Sequence, residues 1–289
     1  MVKLTMLNSM ASADFTASLD QQKIWGIEVL DLKNCIFGKS VIDLSEEEAK
    51  AADAEIRKRG MSVYCLSTDL FHDDLEKGEA AFATEHLAKV ERILAVAEIL
   101  KPRVIRLLSA RYRRGGGEPN SMKHILRHAP WLMNMYRRAV DEIAAAGYQA
   151  TIENEWNSNI FASPDEIVAF FRELDREGKA FFTYDVQNLW TMGTFPSLEV
   201  YRTLSPYIGY FHLKGGMRGG AGDALEWKSA LEDASWPVRE LLREVVRDGV
   251  SPVICLNPSH GKERDGYDYA NMTARDLDFV NRLIREVTE

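Results

Sequence analysis

Four short stretches carry the oxygen and nitrogen groups that hold divalent ions. They are TIENEW (151–156), TYDVQN (183–188), FHLKGG (211–216) and CLNPSHG (255–261). In the first, Glu153 and Glu155 lie two apart after a run of strand formers. Residues i and i+2 of a strand face the same side, so both acids point one way. An unpaired buried carboxylate is costly. The pair therefore sits at an exposed strand end or meets something cationic. Asp185, His212 and Asn257 follow in the next three stretches. One oxygen or imidazole donor from each of four successive strands suits Mn²⁺, Mg²⁺, Co²⁺ or Zn²⁺. Taken singly, each has a plainer reading: an acid at a strand end caps a helix or joins a loop salt bridge, and a lone His is structural. The joint pattern is what points to metal.

Holding such donors together takes a repeated frame, and the chain has one. Strand-like runs are Val2–Asn8, Gly26–Asp31, Met61–Ser67, Arg103–Ser109, Gln149–Glu155, Ala180–Asp185, Ile208–Lys214 and Pro252–Asn257. Each is nearly continuous in apolarity, as strands buried on both faces of a parallel sheet are. Helical patterns lie between them. Ser45–Arg59 opens on a Ser cap with Glu48 three residues on, and Glu79–Leu100 has apolar residues at helical spacing. Pro130–Ala146 stops at Gly147. SPDEIVAFFREL (163–174) starts with a Ser cap and Pro at the first turn. Trp236–Asp248 and Thr273–Glu289 close the series. Eight β-then-α units in 289 residues predict a (β/α)8 barrel, one domain over residues 1–289. An open doubly wound sheet would favour a Gly-rich turn after the first strand, where this chain has NSMASAD.

A barrel of this kind works at the C-terminal ends of its strands. Those ends offer Asn8, Asp31, Ser67, Ser109, Glu153, Asp185, His212 and Asn257. The formal net charge of −8 argues against a nucleic-acid binder. Three cysteines in apolar surroundings suit a reducing compartment, and no run approaches the ~20 apolar residues of a membrane span. The expectation is a soluble cytoplasmic protein.

The motifs IENE, YDVQN, HLKG and LNPSHG, in that order, resemble those of the xylose isomerase-like barrel superfamily, in its sugar phosphate isomerase/epimerase branch. The resemblance covers essentially the whole chain. It implies a TIM barrel with a divalent metal held by Glu153, Asp185, His212 and Asn257. Asn257 stands where the family has a second Glu, and Gly215 where it has an Asp. Asn offers a carbonyl oxygen but cannot act as a general base. Two-base epimerisation therefore gives way to single-base chemistry: isomerisation through a cis-enediol, or elimination beside a carbonyl. The expected function is a metal-dependent isomerase or epimerase-like enzyme that abstracts a proton next to a carbonyl of a keto-sugar or polyol-derived substrate. The alternatives are a lyase or dehydratase on a keto-sugar or inosose, and a sugar-binding barrel without catalysis. An apurinic-site endonuclease, which shares the superfamily, is associated with a His-rich three-metal site. It fits poorly an acidic chain with six His.

Glu153 is committed to the metal, so Glu155, Lys214 and His260 are the candidate bases, with His260 also a replacement ligand. Their plainer readings are an Arg partner, a structural cation and a solvent-facing loop residue. Two Gly-rich loops, SARYRRGGGEPNS (109–121) and GGMRGGAGDALEW (215–227), read as lids. Their Arg111, Arg113 and Arg114, and Arg218, suit an anionic or polyol substrate. Arg218 resembles a substrate-contacting arginine of the family, and Asn188 falls on a substrate-contacting position. Trp156, Trp190 and Trp227 would stack on a sugar or roof the core. HILRH (124–128) has His at i and i+4 but lacks the acid of HExxH. It is expected to open the fourth helical region without binding metal. Family barrels often form dimers or tetramers, so a homo-oligomer is expected by analogy.

Overall fold

All eight apolar runs become parallel strands. In the computed structural model, which describes residues 2–114, 118–156, 158–219 and 222–288, they are β1 (Lys3–Thr5), β2 (Val29–Leu32), β3 (Ser62–Ser67), β4 (Val104–Leu108), β5 (Gln149–Glu153), β6 (Ala180–Asp185), β7 (Ile208–Leu213) and β8 (Val253–Leu256). Neighbours pair in chain order from β2 to β8, and β8 pairs with β1. A parallel bridge between Leu7 and Asp31 brings β1 to β2 and nearly closes the barrel. Strands β1, β4, β5, β7 and β8 end earlier than their apolar runs do. Glu155, Lys214 and Asn257 thus lie just past the strand ends, in the turns that form the mouth.

The helices α1 (Phe15–Ile24), α2 (Glu46–Lys58), α3 (Val90–Leu100), α4 (Trp131–Ala145), α5 (Pro164–Leu174), α6 (Leu198–Leu204), α7 (Val238–Asp248) and α8 (Met272–Thr288) surround the sheet. Ser45 and Glu48 form the expected reciprocal cap on α2, and Ser163 caps α5. The single helix expected over 79–100 is divided into Glu79–Glu85, a 3-10 turn at Leu87–Lys89, and α3. His86 causes the break. Its ring is drawn inward against Phe71 and Phe82, where Nδ1 accepts from the Phe71 N–H at 3.1 Å. That position takes its backbone out of the helical region. HILRH belongs to a separate helix, Ser121–His128, capped by Asn120, and does not open α4.

Strand alternation sorts the barrel interior into layers. Val29, Cys65, Val104, Tyr210 and Cys255 pack together in an apolar plug. Two residues further along the same strands come Asp31, Ser67, Arg106, His212 and Asn257, all buried. The plug therefore supports a polar floor under the mouth.

Asp276, on α8, is a buried acid that lies away from that floor. Its Oδ1 accepts from the Leu231 N–H at 2.7 Å. Burial pushes its pKa up to about 7, against the lowering effect of that hydrogen bond. The folded value thus exceeds the unfolded one. The neutral form's advantage is fully present below about pH 4 and lost as pH rises through about 7. Asp276→Asn keeps an acceptor for Leu231. It is expected to be more stable than the parent by about 1–3 kcal/mol at pH 8, and to lack the parent's decline between pH 4 and 8. Urea denaturation of both proteins across that range checks this; parallel pH profiles would contradict it.

Candidate active site

Glu153 ends β5, Asp185 ends β6 and His212 lies on β7, beside Asp185 in register. Their donor atoms lie within 4.8 Å of one another. Glu153 Oε1 is 2.9 Å from His212 Nδ1, and Asp185 Oδ2 is 3.9 Å from it. Donors bonded at about 2.0–2.2 Å to one ion lie roughly 3 to 3.6 Å apart at octahedral or tetrahedral angles. The spacing observed here brackets that range.

Each carboxylate has one oxygen pinned and turns the other toward this point, Asp185 Oδ2 sharing it with the Lys214 ammonium. Glu153 Oε2 accepts from Arg106 Nη1. Asp185 Oδ1 accepts from the N–H groups of Gln187 and Asn188, at 3.0 and 2.9 Å, and so caps the short helix Val186–Thr191. Asn154 bonds the Asp185 backbone twice, at 2.9 Å each way. Asp185 Oδ2 and both His212 ring nitrogens are buried without an aligned hydrogen bond. Their close neighbours are charged groups: Lys214 Nζ lies 2.7 Å from Asp185 Oδ2, and Glu153 Oε1 lies 2.9 Å from His212 Nδ1. Two carboxylates and an imidazole converging at this spacing form a donor set that fits a divalent cation. Below them, His212 Nε2 faces Asp31 Oδ2 at 4.0 Å, and Asp31 is itself held by Ser67 and Tyr210.

Two cations flank the acids. Arg106 is 1% exposed, and its Nη2 also donates to the Thr68 carbonyl at 3.1 Å. Lys214 Nζ lies 2.7 Å from Asp185 Oδ2, donates to Asn188 Oδ1 at 3.2 Å and sits 2.9 Å from His260 Nε2. Burial works to raise the Glu153 pKa, but the charges of Arg106 and His212 outweigh it and hold the carboxyl well below the usual range. Glu155 moves the other way: burial, then the charge of Glu153, raises its pKa. Burial and the Lys214 ammonium lower His260 to about 4, leaving it neutral at pH 7.

The rim gathers most of the remaining expected residues. Glu155 Oε1 accepts from the Trp156 N–H at 3.0 Å and from Asn188 Nδ2 at 3.2 Å. Trp156 is 53% exposed, with its ring stacked 6.4 Å from His260. Gln187 ties the rim together: it donates to the Gly215 carbonyl and Ser259 Oγ and accepts from the His260 N–H at 2.5 Å.

Other expected residues are engaged elsewhere. The carbonyl oxygen of Asn257, the atom a metal would need, faces the Leu7 N–H at 3.5 Å and Cys255 Sγ at 3.4 Å. Arg114 pairs with buried Glu166 at 3.0 Å, and Arg113 with Asp74 at 3.0 Å. Both hold loops together. Arg111 lines a separate cavity with Asp74 and His124. Arg218, on a ribbon of Met217–Arg218 with Leu225–Trp227, pairs with Asp223 at 3.2 Å and lies over Phe195. Trp190 is core, and Trp227 lies under Arg264. The glycines at 115–117 and residues 220–221, in the two loops expected to act as lids, lie outside the described residues. The sequence reading overlooked Arg106 and Gln187. The signals were there: Arg106 is the one charge in the apolar run VIRLL, and Gln187 follows Asp185 by two.

A family model described as xylose isomerase-like TIM barrel matches residues 25–283. No curated protein matches the chain in sequence. A xylose isomerase-like TIM barrel protein from Mycobacterium smegmatis, solved in complex with magnesium, is 16% identical with a TM-score of 0.72. That match covers 100% of this chain and 97% of the other. The probable 3-DHS dehydratase AsbF from Bacillus anthracis is 15% identical, TM-score 0.70, covering 96% and 98%. D-psicose 3-epimerase from Clostridium cellulolyticum H10, solved with D-tagatose, is 14% identical, TM-score 0.70, covering 99% of each chain. At such identities the likeness is one of fold.

Proposed function

The chain belongs to the xylose isomerase-like TIM barrel family, and on that basis we propose a metal-dependent enzyme that removes a proton next to the carbonyl of a keto-sugar or polyol-derived substrate, as isomerases and epimerases do. The observation that carries this reading is the pairing of two unlike acids. Glu153 is held ionised chiefly by the Arg106 charge, while Glu155, on the rim, has its pKa raised. Environments that split two carboxyl groups in this way assign one to charge stabilisation and the other to proton transfer. A divalent ion held by Glu153, Asp185 and His212 would polarise the substrate carbonyl as a Lewis acid. Glu155 takes the proton. Asn188 holds Glu155 Oε1 and Lys214 at once, which fixes the base relative to the nearby positive charge. Lys214 offers that charge to a substrate oxygen, and the exposed face of Trp156 offers a surface for the sugar.

The epimerase among the similar structures supports this range of chemistry. Elimination of water is the second reading. Its specific support is Asn257, which supplies no opposite-face base and whose carbonyl is already engaged; a dehydratase is also among the structures of this fold. In either case Glu153, Asp185 and His212 would hold the ion, which would supply Lewis-acid activation of the substrate carbonyl.

Titration with Mn²⁺ tests the reading. Removing an outer-shell partner typically costs about 10–100-fold in metal affinity, so Asp185→Asn and His212→Ala are expected to lose at least that much. Chelation should abolish turnover on a panel of ketopentoses, ketohexoses and inososes. Unchanged Mn²⁺ affinity in both variants would refute the ligand assignment.

A further inference from the structure

We propose that His124 and His128 form a second cation site, for a nitrogen-preferring ion such as Zn²⁺, Ni²⁺ or Cu²⁺, on the outer rim of the barrel mouth. The two residues are four apart on the helix Ser121–His128 and so share a face. Their ring centroids are 5.1 Å apart, with planes inclined at 44°. Two imidazoles bonded at about 2.0–2.1 Å along tetrahedral directions have centroids roughly 5 Å apart, so the pair is already spaced to chelate.

The surroundings supply what the sequence lacked. Both rings line a cavity of about 230 Å³ together with Asp74, Glu76, Arg111 and Arg113. The four charges cancel, and Asp74 is paired with Arg113 at 3.0 Å. Glu76 acts electrostatically on His124 and lines the same cavity, so the two rings are the ligands and water completes the shell. HILRH itself has no acid; the segment after β3 brings Asp74 and Glu76 to the cavity wall. Tyr112 packs against the His124 ring at 4.8 Å and fixes its orientation. The Asp73, Glu85 and His86 group nearby is a poorer host. Lys77 lies on both of its carboxylates. His86 Nδ1 accepts from Phe71, which puts the neutral ring's proton on Nε2, the atom a metal would need.

No residue of this site is shared with the Glu153 cluster, so the two are separable. Calorimetric titration with Zn²⁺ is run on the parent protein, His124→Gln, His128→Gln and His212→Ala. His128 is exposed, so its replacement leaves the fold intact. Each of His124→Gln and His128→Gln is expected to lose one Zn²⁺ equivalent, or to bind it at least tenfold more weakly, while His212→Ala keeps it. Untagged parent protein should also be retained on Ni²⁺-charged resin, and His128→Gln should not. Titration of His124→Gln and His128→Gln indistinguishable from the parent's would overturn the proposal, as would loss of all Zn²⁺ binding in His212→Ala.

Discussion

Glu155→Gln is expected to lower turnover by about 10²–10⁴-fold, the usual contribution of a general base, with metal content and melting temperature nearly unchanged. Gln keeps an oxygen for the Trp156 N–H and Asn188 Nδ2 contacts, so the rim retains its shape and loses only the proton acceptor. The pH profile follows from the same geometry. A base works ionised, and burial with the Glu153 charge raises the pKa of Glu155. Activity of the parent should therefore fall on acidification with a midpoint above the ordinary glutamate value of about 4.3, and that limb should vanish in the variant. Turnover within threefold of the parent would move the base elsewhere, with Lys214 and His260 next in line.

The largest stability effect is expected at Arg106. Removing one partner of a buried ion pair typically costs about 3–5 kcal/mol, because the other charge is left unpaired. Arg106→Met leaves Glu153 in that position, 2% exposed and without its Oε2 donor. Urea denaturation in the presence of a chelator measures the loss without a bound ion taking the arginine's place. Adding Glu153→Gln to Arg106→Met should recover much of it, since the stranded charge is then gone. A loss below about 1 kcal/mol in the single variant would mean that the pair is not energetically coupled.

What the sequence could and could not reveal divides along physical lines. The eight strands were legible because strands buried on both faces must be apolar almost throughout, and the alternation of strand and helix left few topologies. Glu153, Asp185 and His212 were legible because strand ends place them at one mouth. The broken helix at His86 was not, because the cause is a hydrogen bond to Phe71, 15 residues earlier. The partners of the loop arginines were not legible for a similar reason. Arg114 pairs with Glu166 across 52 residues, and a Gly-rich neighbourhood says nothing about such a partner. Asn257 could be seen to lack an acid, but the direction of its carbonyl oxygen depends on Leu7 at the other end of the chain. Likewise, HILRH shows its two histidines, while the cavity they line is completed by Asp74 and Glu76 from a different loop.

The central claim is that this mouth removes a proton beside a carbonyl with the help of a divalent ion. Exchange of that proton with solvent tests it most directly, since it detects abstraction whether the product is an isomer, an epimer or an alkene. Parent protein loaded with Mn²⁺ is incubated in deuterated water with the ketose or inosose panel, and each recovered substrate is read by proton NMR. The account predicts deuterium at the carbon next to the carbonyl of at least one substrate, with exchange suppressed by chelation and in Glu155→Gln. Metal bound, substrate bound and no deuterium incorporated or product formed would contradict it.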